Sequence, residues 1–348
     1  GGIMSAKFRI GMIGCGDISR YVALLARINP KIKIVGCAAL HQESVVQFAR
    51  KYKIPVCYTD YSEMLNNVEM EAVYLAVPHN LHYPMIMDAL DRGLHVFCEK
   101  PISHKMDEAL EICRVARQKK LKVGVNYQYR YDPKCYTMVN AARNGQLGNL
   151  YYGRCNLPWH RDSDYFEISP WHCTMEEAGG GTLLTQASHI LDLMLWSFNG
   201  KMKSAQGMTA QRVFTDVEVE DLAMGIIEME DGRLVEVNSS MIAVPSRPVQ
   251  IEVYGSKGTA IYTGFESERK LKVYGTKIKK SKLPVRGIHA LSRSMDAFRL
   301  WIQKDIPYLV PVEQSLPVLA AISAIYQSAE SGRKIEVDSR YLEYMNYG

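Results

Sequence analysis

The 348-residue chain has no Cys-x-x-Cys pair, and its eight cysteines (15, 37, 57, 98, 113, 135, 155 and 173) lack metal-ligand spacing. That excludes a zinc module and a disulfide-stapled secreted fold. Several cysteines sit inside apolar runs, where a thiol behaves as a small hydrophobe. No run is long, apolar and uncharged enough to cross a membrane, and no stretch reads as a secretory signal. Charge of neither sign dominates: the net charge is only +5, and the one lysine cluster, Lys277 to Lys282, reads as a solvated loop rather than a nucleic-acid patch. Internal repeats and low-complexity segments are absent. The expectation is a reduced, cytoplasmic protein with no metal, membrane or nucleic-acid partner. With 47% hydrophobic residues, it is long enough for two domains with a core each.

Residues 7–126 alternate strand and helix signals. Strands are expected at Phe8–Ile13, Lys33–Ala38, Ala72–Val77, His95–Cys98 and Lys122–Val125. Helices are expected at Tyr21–Ile28, Ser44–Tyr52, Tyr83–Asp91 and Asp107–Lys119. Short β-branched strands alternating with helices predict a doubly wound parallel sheet. Beyond residue 150 the pattern changes. A strand at Leu150–Leu157 and a polar aromatic loop, Pro158–Thr174, lead to Gly179-Gly180-Gly181 and a helix over Thr182–Ser197. Strands are then expected at Val213–Glu220, Leu222–Met229, Arg233–Ser240, Val249–Tyr254 and Gly258–Tyr262, with a hairpin signal at Asp231-Gly232. Helices at Ser292–Gln303 and Glu313–Ser331 close the chain. The predicted fold is α/β: an N-terminal Rossmann domain (5–126), then an α+β domain (127–348) on a large, mainly antiparallel open sheet.

Gly14-x-Gly16-x-x-Ser19 follows a strand and opens a helix, the setting a dinucleotide fingerprint requires. The first glycine permits the turn, the second lets backbone approach a pyrophosphate, and free N–H groups at the helix start attract phosphate. An ordinary tight turn is the plain alternative. The acidic residue that usually holds the ribose is missing, since Ala39 stands there with His41 beyond it. Losing that carboxylate favours NADP, while the absence of an arginine favours NAD. NAD is slightly preferred.

Lys100 ends the apolar run Phe97-Cys98-Glu99, just before Pro101. Lysine is rarely put at a buried strand end for packing, because desolvating its ammonium is costly. On the later helix, Thr182, Thr185, His189, Asp192 and Trp196 fall on one quarter of an otherwise apolar surface, at 100° per residue. The stripe faces either polar partners in the core or a substrate cleft. The three glycines before it read as open backbone beside a ligand or as a flexible connector. In the aromatic loop, Trp159 and Trp171-His172 suit a sugar ring and Arg161 a carboxylate or phosphate, unless the loop is purely structural.

The motifs Gly14-Cys15-Gly16, Pro78-His79-Asn80-Leu81-His82, Glu99-Lys100-Pro101, Tyr129-Arg130-Tyr131-Asp132-Pro133, Gly179 through Asp192, Glu218-Val219-Glu220-Asp221 and Tyr254 through Gly258 occur in this order. In these the chain resembles the glucose–fructose oxidoreductase/inositol dehydrogenase (Gfo/Idh/MocA) family over nearly its whole length. The resemblance implies an NAD(P)-dependent oxidoreductase of sugar-type alcohols and a homodimer or homotetramer formed through the C-terminal sheet. The cofactor is expected at Gly14, Cys15, Gly16, Asp17, Ile18, Ala39, His41, Pro78, Asn80, His82, Glu99 and Lys100, the resemblance adding Pro78, Asn80 and Lys100 to the glycine turn. Substrate falls to Lys100, Asn126, Arg130, Trp159, Arg161, Thr185 and His189. Lys100 and His189 are the catalytic pair. One departure stands out: polyol dehydrogenases of the family often carry an aspartate where this chain has Thr185. The run Thr185 to His189 looks more like members acting on sugar nucleotides or amino sugars.

The expected reaction moves hydride between nicotinamide and a secondary carbinol carbon, with the hydroxyl bracketed by Lys100 and His189. Histidine is the expected proton acceptor and Lys100 the stabiliser of alkoxide charge, or the base itself if burial lowers its pKa. A glycosidase working by transient oxidation and a non-catalytic sensor are the alternatives.

Overall fold

The computed structural model describes residues 7–265 and 268–345. Residues 5, 6 and 346–348 of the expected domain bounds lie outside them. The first half runs β1 (Phe8–Ile13), α1 (Asp17–Ile28), β2 (Ile32–Ala38), α2 (Gln42–Tyr52), β3 (Cys57–Tyr58), α3 (Tyr61–Asn67), β4 (Ala72–Leu75), α4 (His82–Asp91), β5 (His95–Cys98), α5 (Met106–Lys119) and β6 (Val123–Val125). All six strands are parallel, in the order β3-β2-β1-β4-β5-β6. They are almost wholly buried because helices cover both faces. The order reverses between β1 and β4, so the strand ends there open onto a crevice, the usual ligand position in such sheets.

The second half holds α6 (Pro133–Arg143), β7 (Leu150–Pro158), the short helices α7 (Asp164–Ile168) and α8 (Met175–Ala178), and α9 (Ser188–Phe198). There follow β8 (Met202–Ala210), β9 (Leu222–Met229), β10 (Leu234–Ser240), β11 (Val249–Gly255), β12 (Thr259–Phe265), β13 (Glu268–Tyr274), α10 (Ala290–Lys304), α11 (Leu316–Ser331) and β14 (Ile335–Glu336). Eight strands form one sheet, β13-β12-β11-β7-β10-β9-β8-β14, antiparallel except between β7 and β10. Helix α11 lies so close to one face that a methyl group on Gly207 or Gly225 would stand 2.6 Å from Ile325. The opposite face carries Tyr152, Met208, Met224, Ile226 and Leu234, all exposed.

The strand expected at Val213–Glu220 does not form. The Asp221 carboxylate accepts from the main-chain N–H groups of Arg212, Val213 and Phe214 at 2.7–3.0 Å, so a turn replaces the ladder. Strands β3, β8, β13 and β14 and helices α3, α6, α7 and α8 are additions to the expected set. One continuous core runs through both halves. Phe298 of α10 stacks on Phe97 of β5 at 5.0 Å, and Val125 of β6 donates to the Val310 carbonyl at 3.0 Å.

Candidate functional site

The crevice at the β1 end is shaped by two glycines with different work. Gly14 has φ +93°, and a methyl group there would stand 2.0 Å from the Ala76 carbonyl oxygen. Nothing lies within 4 Å of the corresponding position on Gly16, so that side of the turn is open. Gly16 caps α1 with no side-chain acceptor, leaving the N–H groups of Asp17 and Ile18 directed outward at a positive helix end. Asn80 holds a buried Oδ1 with no partner, beside Pro78. Ala39 and His41 follow β2, and His41 is exposed. An open glycine cradle, uncapped N–H groups and an orphaned amide oxygen together fit a dinucleotide.

Lys100 leaves the end of β5, and the peptide into Pro101 is cis. Burial lowers its pKa to about 8, against the opposing pull of Glu99. Its ammonium donates to the main-chain carbonyl of Thr185. That carbonyl lies in Leu183–Ala187, a stretch wound as π-helix just before α9. His189 sits in the first turn of α9, stacked on Tyr129 at 4.9 Å with Tyr127 edge-on at 5.6 Å. Its Nδ1 is buried without a partner. Desolvation and then the Lys100 charge hold its pKa well below the usual imidazole value, so the ring is neutral. Lys100 and His189, from separate halves of the chain, thus share one buried neighbourhood, with the Thr185 carbonyl that holds Lys100 one helical turn before His189.

The aromatic loop closes over them. Tyr165 lies next to Thr185 and Gln186 and stacks on His172 at 4.5 Å, and His172 stacks on Trp171 at 3.6 Å. Trp171 meets His79 at 4.7 Å, whose Nδ1 lies 2.7 Å from the Ala178 carbonyl. Burial takes His172 down to about 4, with Lys100 and Arg161 adding to the effect. Arg161 lies over the rings of Trp159 and Tyr165, at 5.1 and 5.7 Å.

Four expectations need correcting. Arg130 is not free to bind substrate: it pairs with Asp192 at 2.7 and 2.9 Å, and its remaining donors go to Leu309 and Gln314. Asn126 is buried, donating to Glu99 at 2.7 Å and accepting from Ser294, so it positions Glu99 rather than a sugar. The ring of His82 lies between the carbonyls of Pro101 (2.7 Å) and Val77 (3.0 Å), bracing two strand ends with no nitrogen left for a cofactor. The three glycines are neither open nor flexible. Methyl groups on Gly179, Gly180 and Gly181 would stand 2.1, 2.2 and 1.8 Å from His104, Tyr326 and Glu220.

The N–H groups after those glycines are likewise taken. The buried Glu220 carboxylate accepts from Gly181 (2.7 Å), Leu183 (2.9 Å) and the Tyr326 hydroxyl (2.9 Å). Glu220 and the tyrosines around His189 went unassigned from sequence. Glu220 shares no periodicity with the helix it caps. Glu99 accepts from Tyr74 at 2.8 Å as well as from Asn126, both at Oε1. The Thr185 hydroxyl bonds back to Gly181 at 2.7 Å, so its carbonyl, not its side chain, meets Lys100.

Comparison with known proteins agrees with this geometry. Residues 8–127 match the profile of an oxidoreductase family with an NAD-binding Rossmann fold, and residues 136–261 match the GFO/IDH/MocA C-terminal domain. The D-glucoside 3-dehydrogenase of Escherichia coli is 24% identical, covering 96% of this chain and 98% of its own. The 1,5-anhydro-D-fructose reductase of Ensifer adhaerens is 23% identical over 95% and 99% of the two chains. In fold, the WlbA dehydrogenase of Bordetella pertussis, solved with NADH and UDP-GlcNAcA, superposes with a TM-score of 0.85 at 24% identity, covering 95% of this chain and 99% of that one.

Proposed function

Since the chain belongs to the Gfo/Idh/MocA family of NAD-binding oxidoreductases, we propose that it oxidises or reduces a secondary alcohol or ketone of a sugar or sugar derivative, in the manner of a 3-dehydrogenase. The observation that carries this is the convergence of Lys100 and His189 on the Thr185 turn, next to the aromatic cluster of Trp159, Tyr165 and Trp171. The sugar-acting relatives support the substrate class. Gly14, Cys15, Gly16, Asp17, Ile18 and Asn80 would hold a nicotinamide dinucleotide, which would supply the hydride acceptor or donor. NAD is favoured over NADP because no lysine or arginine occurs in residues 39–44.

Lys100 is the better proton-transfer group of the pair. An amine with pKa about 8 exchanges a proton near neutrality. His189 is held neutral and too weakly basic for that role, so it orients the substrate hydroxyl by a hydrogen bond. The Thr185 carbonyl fixes the amine where related polyol enzymes use an aspartate. Being uncharged, it leaves the Lys100 pKa low, where a carboxylate would raise it.

We place the subunit contact of a homodimer or homotetramer on the open sheet face, where Met208, Met224, Ile226 and Leu234 are exposed. No helix among the described residues is long and apolar enough to cross a membrane. The cytoplasm suits a chain whose cysteines are all thiols.

The test is a panel of free, phosphorylated and nucleotide-linked sugars with each dinucleotide, followed by cofactor absorbance and product mass. The expected result is reduced cofactor together with a product lighter by two hydrogens. No turnover across the panel in either direction would sink the reading, and release of free sugar without net reduced cofactor would replace it with transient-oxidation glycosidase chemistry.

A further inference from the structure

We infer that the substrate carries an oxyanion, a carboxylate or a phosphoryl group, and that Arg161 binds it. This rests on the reading of the cleft as a sugar oxidoreductase site and narrows its substrate class.

The backbone of Arg161 is fixed. Trp159 N–H donates to Ser240 at 3.0 Å, Arg161 N–H to Met241 at 2.7 Å, and Ala243 N–H to Trp159 at 2.9 Å. Residues 159–161 thus run as an extension of β7 along the segment leaving β10. The guanidinium lies over two aromatic faces. Such faces stabilise a cation but accept none of its in-plane N–H bonds.

Among the described residues no carboxylate lies within 4.0 Å of Arg161, and its Nε is buried without a partner. The adjacent Asp162 pairs with His160 at 3.1 Å. A partly buried guanidinium with an orphaned donor is costly unless something completes it.

The location makes that something the substrate. Arg161 and Lys100 both lie near enough to His172 to depress its basicity, and Tyr165, under the Arg161 cation, sits next to Thr185, whose carbonyl holds Lys100. Two cations, Lys100 and Arg161, thus flank His172, whose basicity both depress, and His189 is depressed likewise by Lys100. The one acid against Lys100 is Glu99, already committed to Tyr74 and Asn126. A sugar with its carbinol at Lys100 would direct a substituent toward Arg161.

The experiment compares methyl β-D-glucuronoside with methyl β-D-glucoside, and glucose 6-phosphate with glucose, in the native protein, Arg161→Gln and Arg161→Lys. At least one anionic sugar is expected to exceed its neutral counterpart in kcat/KM by about ten- to a hundredfold. The responding pair tells carboxylate from phosphate. Arg161→Gln should bring that ratio near one, chiefly through KM, and Arg161→Lys should keep part of it.

Equal or better use of the neutral sugars by the native protein would overturn the inference. So would an equal fractional loss on both members of a pair in Arg161→Gln, with an unchanged melting temperature. Calorimetric titration of the same sugars, with and without NAD, separates the two readings. Anion binding that needs Arg161 but yields no turnover faults the reaction, whereas turnover of neutral sugars alone faults the anion site.

Discussion

The ammonium of Lys100 and the main-chain carbonyl of Thr185 form a direct hydrogen bond across the two halves of the chain. A carbonyl in this position needs no side chain, so the bond survives at a residue whose own hydroxyl is turned away to Gly181. It also leaves the amine without a counter-charge on that side, and desolvation then sets its acidity.

The pH dependence follows with a definite sign. Lys100, normally protonated to above pH 10, gives up its proton near pH 8 here. Oxidation uses the free amine, so kcat/KM for oxidation should rise through about pH 8 to a plateau, and the reverse reduction should fall over the same range. Lys100→Met should lower turnover by about 10²–10⁴-fold. An acid limb centred at an ordinary histidine value, or a Met variant within fivefold of native, would remove Lys100 from the proton transfer.

Two glycine-to-alanine changes should fail in opposite ways. Gly16→Ala meets no atom within 4 Å, so the melting temperature should hold while dinucleotide affinity drops about tenfold or more. Gly181→Ala puts a methyl group 1.8 Å from the Glu220 carbonyl oxygen, and soluble expression should collapse. Thermal melting alongside dinucleotide titration decides it. The glycine assignments fail if Gly181→Ala folds normally or Gly16→Ala binds as the native chain does.

Arg130 should behave as part of the framework. Arg130→Met leaves the buried Asp192 without its cation and should cost about 3–5 kcal/mol in denaturant unfolding. Loss of the Trp196 face contact at 4.5 Å adds to this. The sugar KM of the folded enzyme should stay within about twofold, and a large KM rise at unchanged stability would return Arg130 to the substrate.

A charge on the open sheet should divide the oligomer. Ile226→Glu places a carboxylate among Met208, Met224 and Leu234, and sedimentation should show monomer where the native chain shows dimer or larger. A native chain that sediments as monomer would discard the proposed contact.

The phosphate turn was legible because glycine spacing, a preceding strand and a following helix are local features. Lys100 was legible because a charge at a buried strand end has no packing reason. The stripe on the later helix was only partly so. A step of 100° per residue presumes α-helix, yet Leu183–Ala187 is wound more loosely, which offers a carbonyl where the pattern promised side chains. Asp192 and Arg130 lie 62 residues apart, and nothing along the chain announces their pairing. The lost strand at Val213–Glu220 has the same root, since its alternation was genuine but Asp221 outcompeted a neighbouring strand for the amides. Strand β13 is hard to read from sequence because its inward side, Leu271 and Val273, is only half-buried and is interleaved with charged residues.

The bond from Val125 to Val310, with the bridge between Gly124 and Pro311, seals the outer edge of the nucleotide-binding sheet with chain from the far end of the sequence. Residues 7–126 on their own would therefore carry a raw β6 margin prone to self-association. The same suture opposes any clamshell swing of one half against the other.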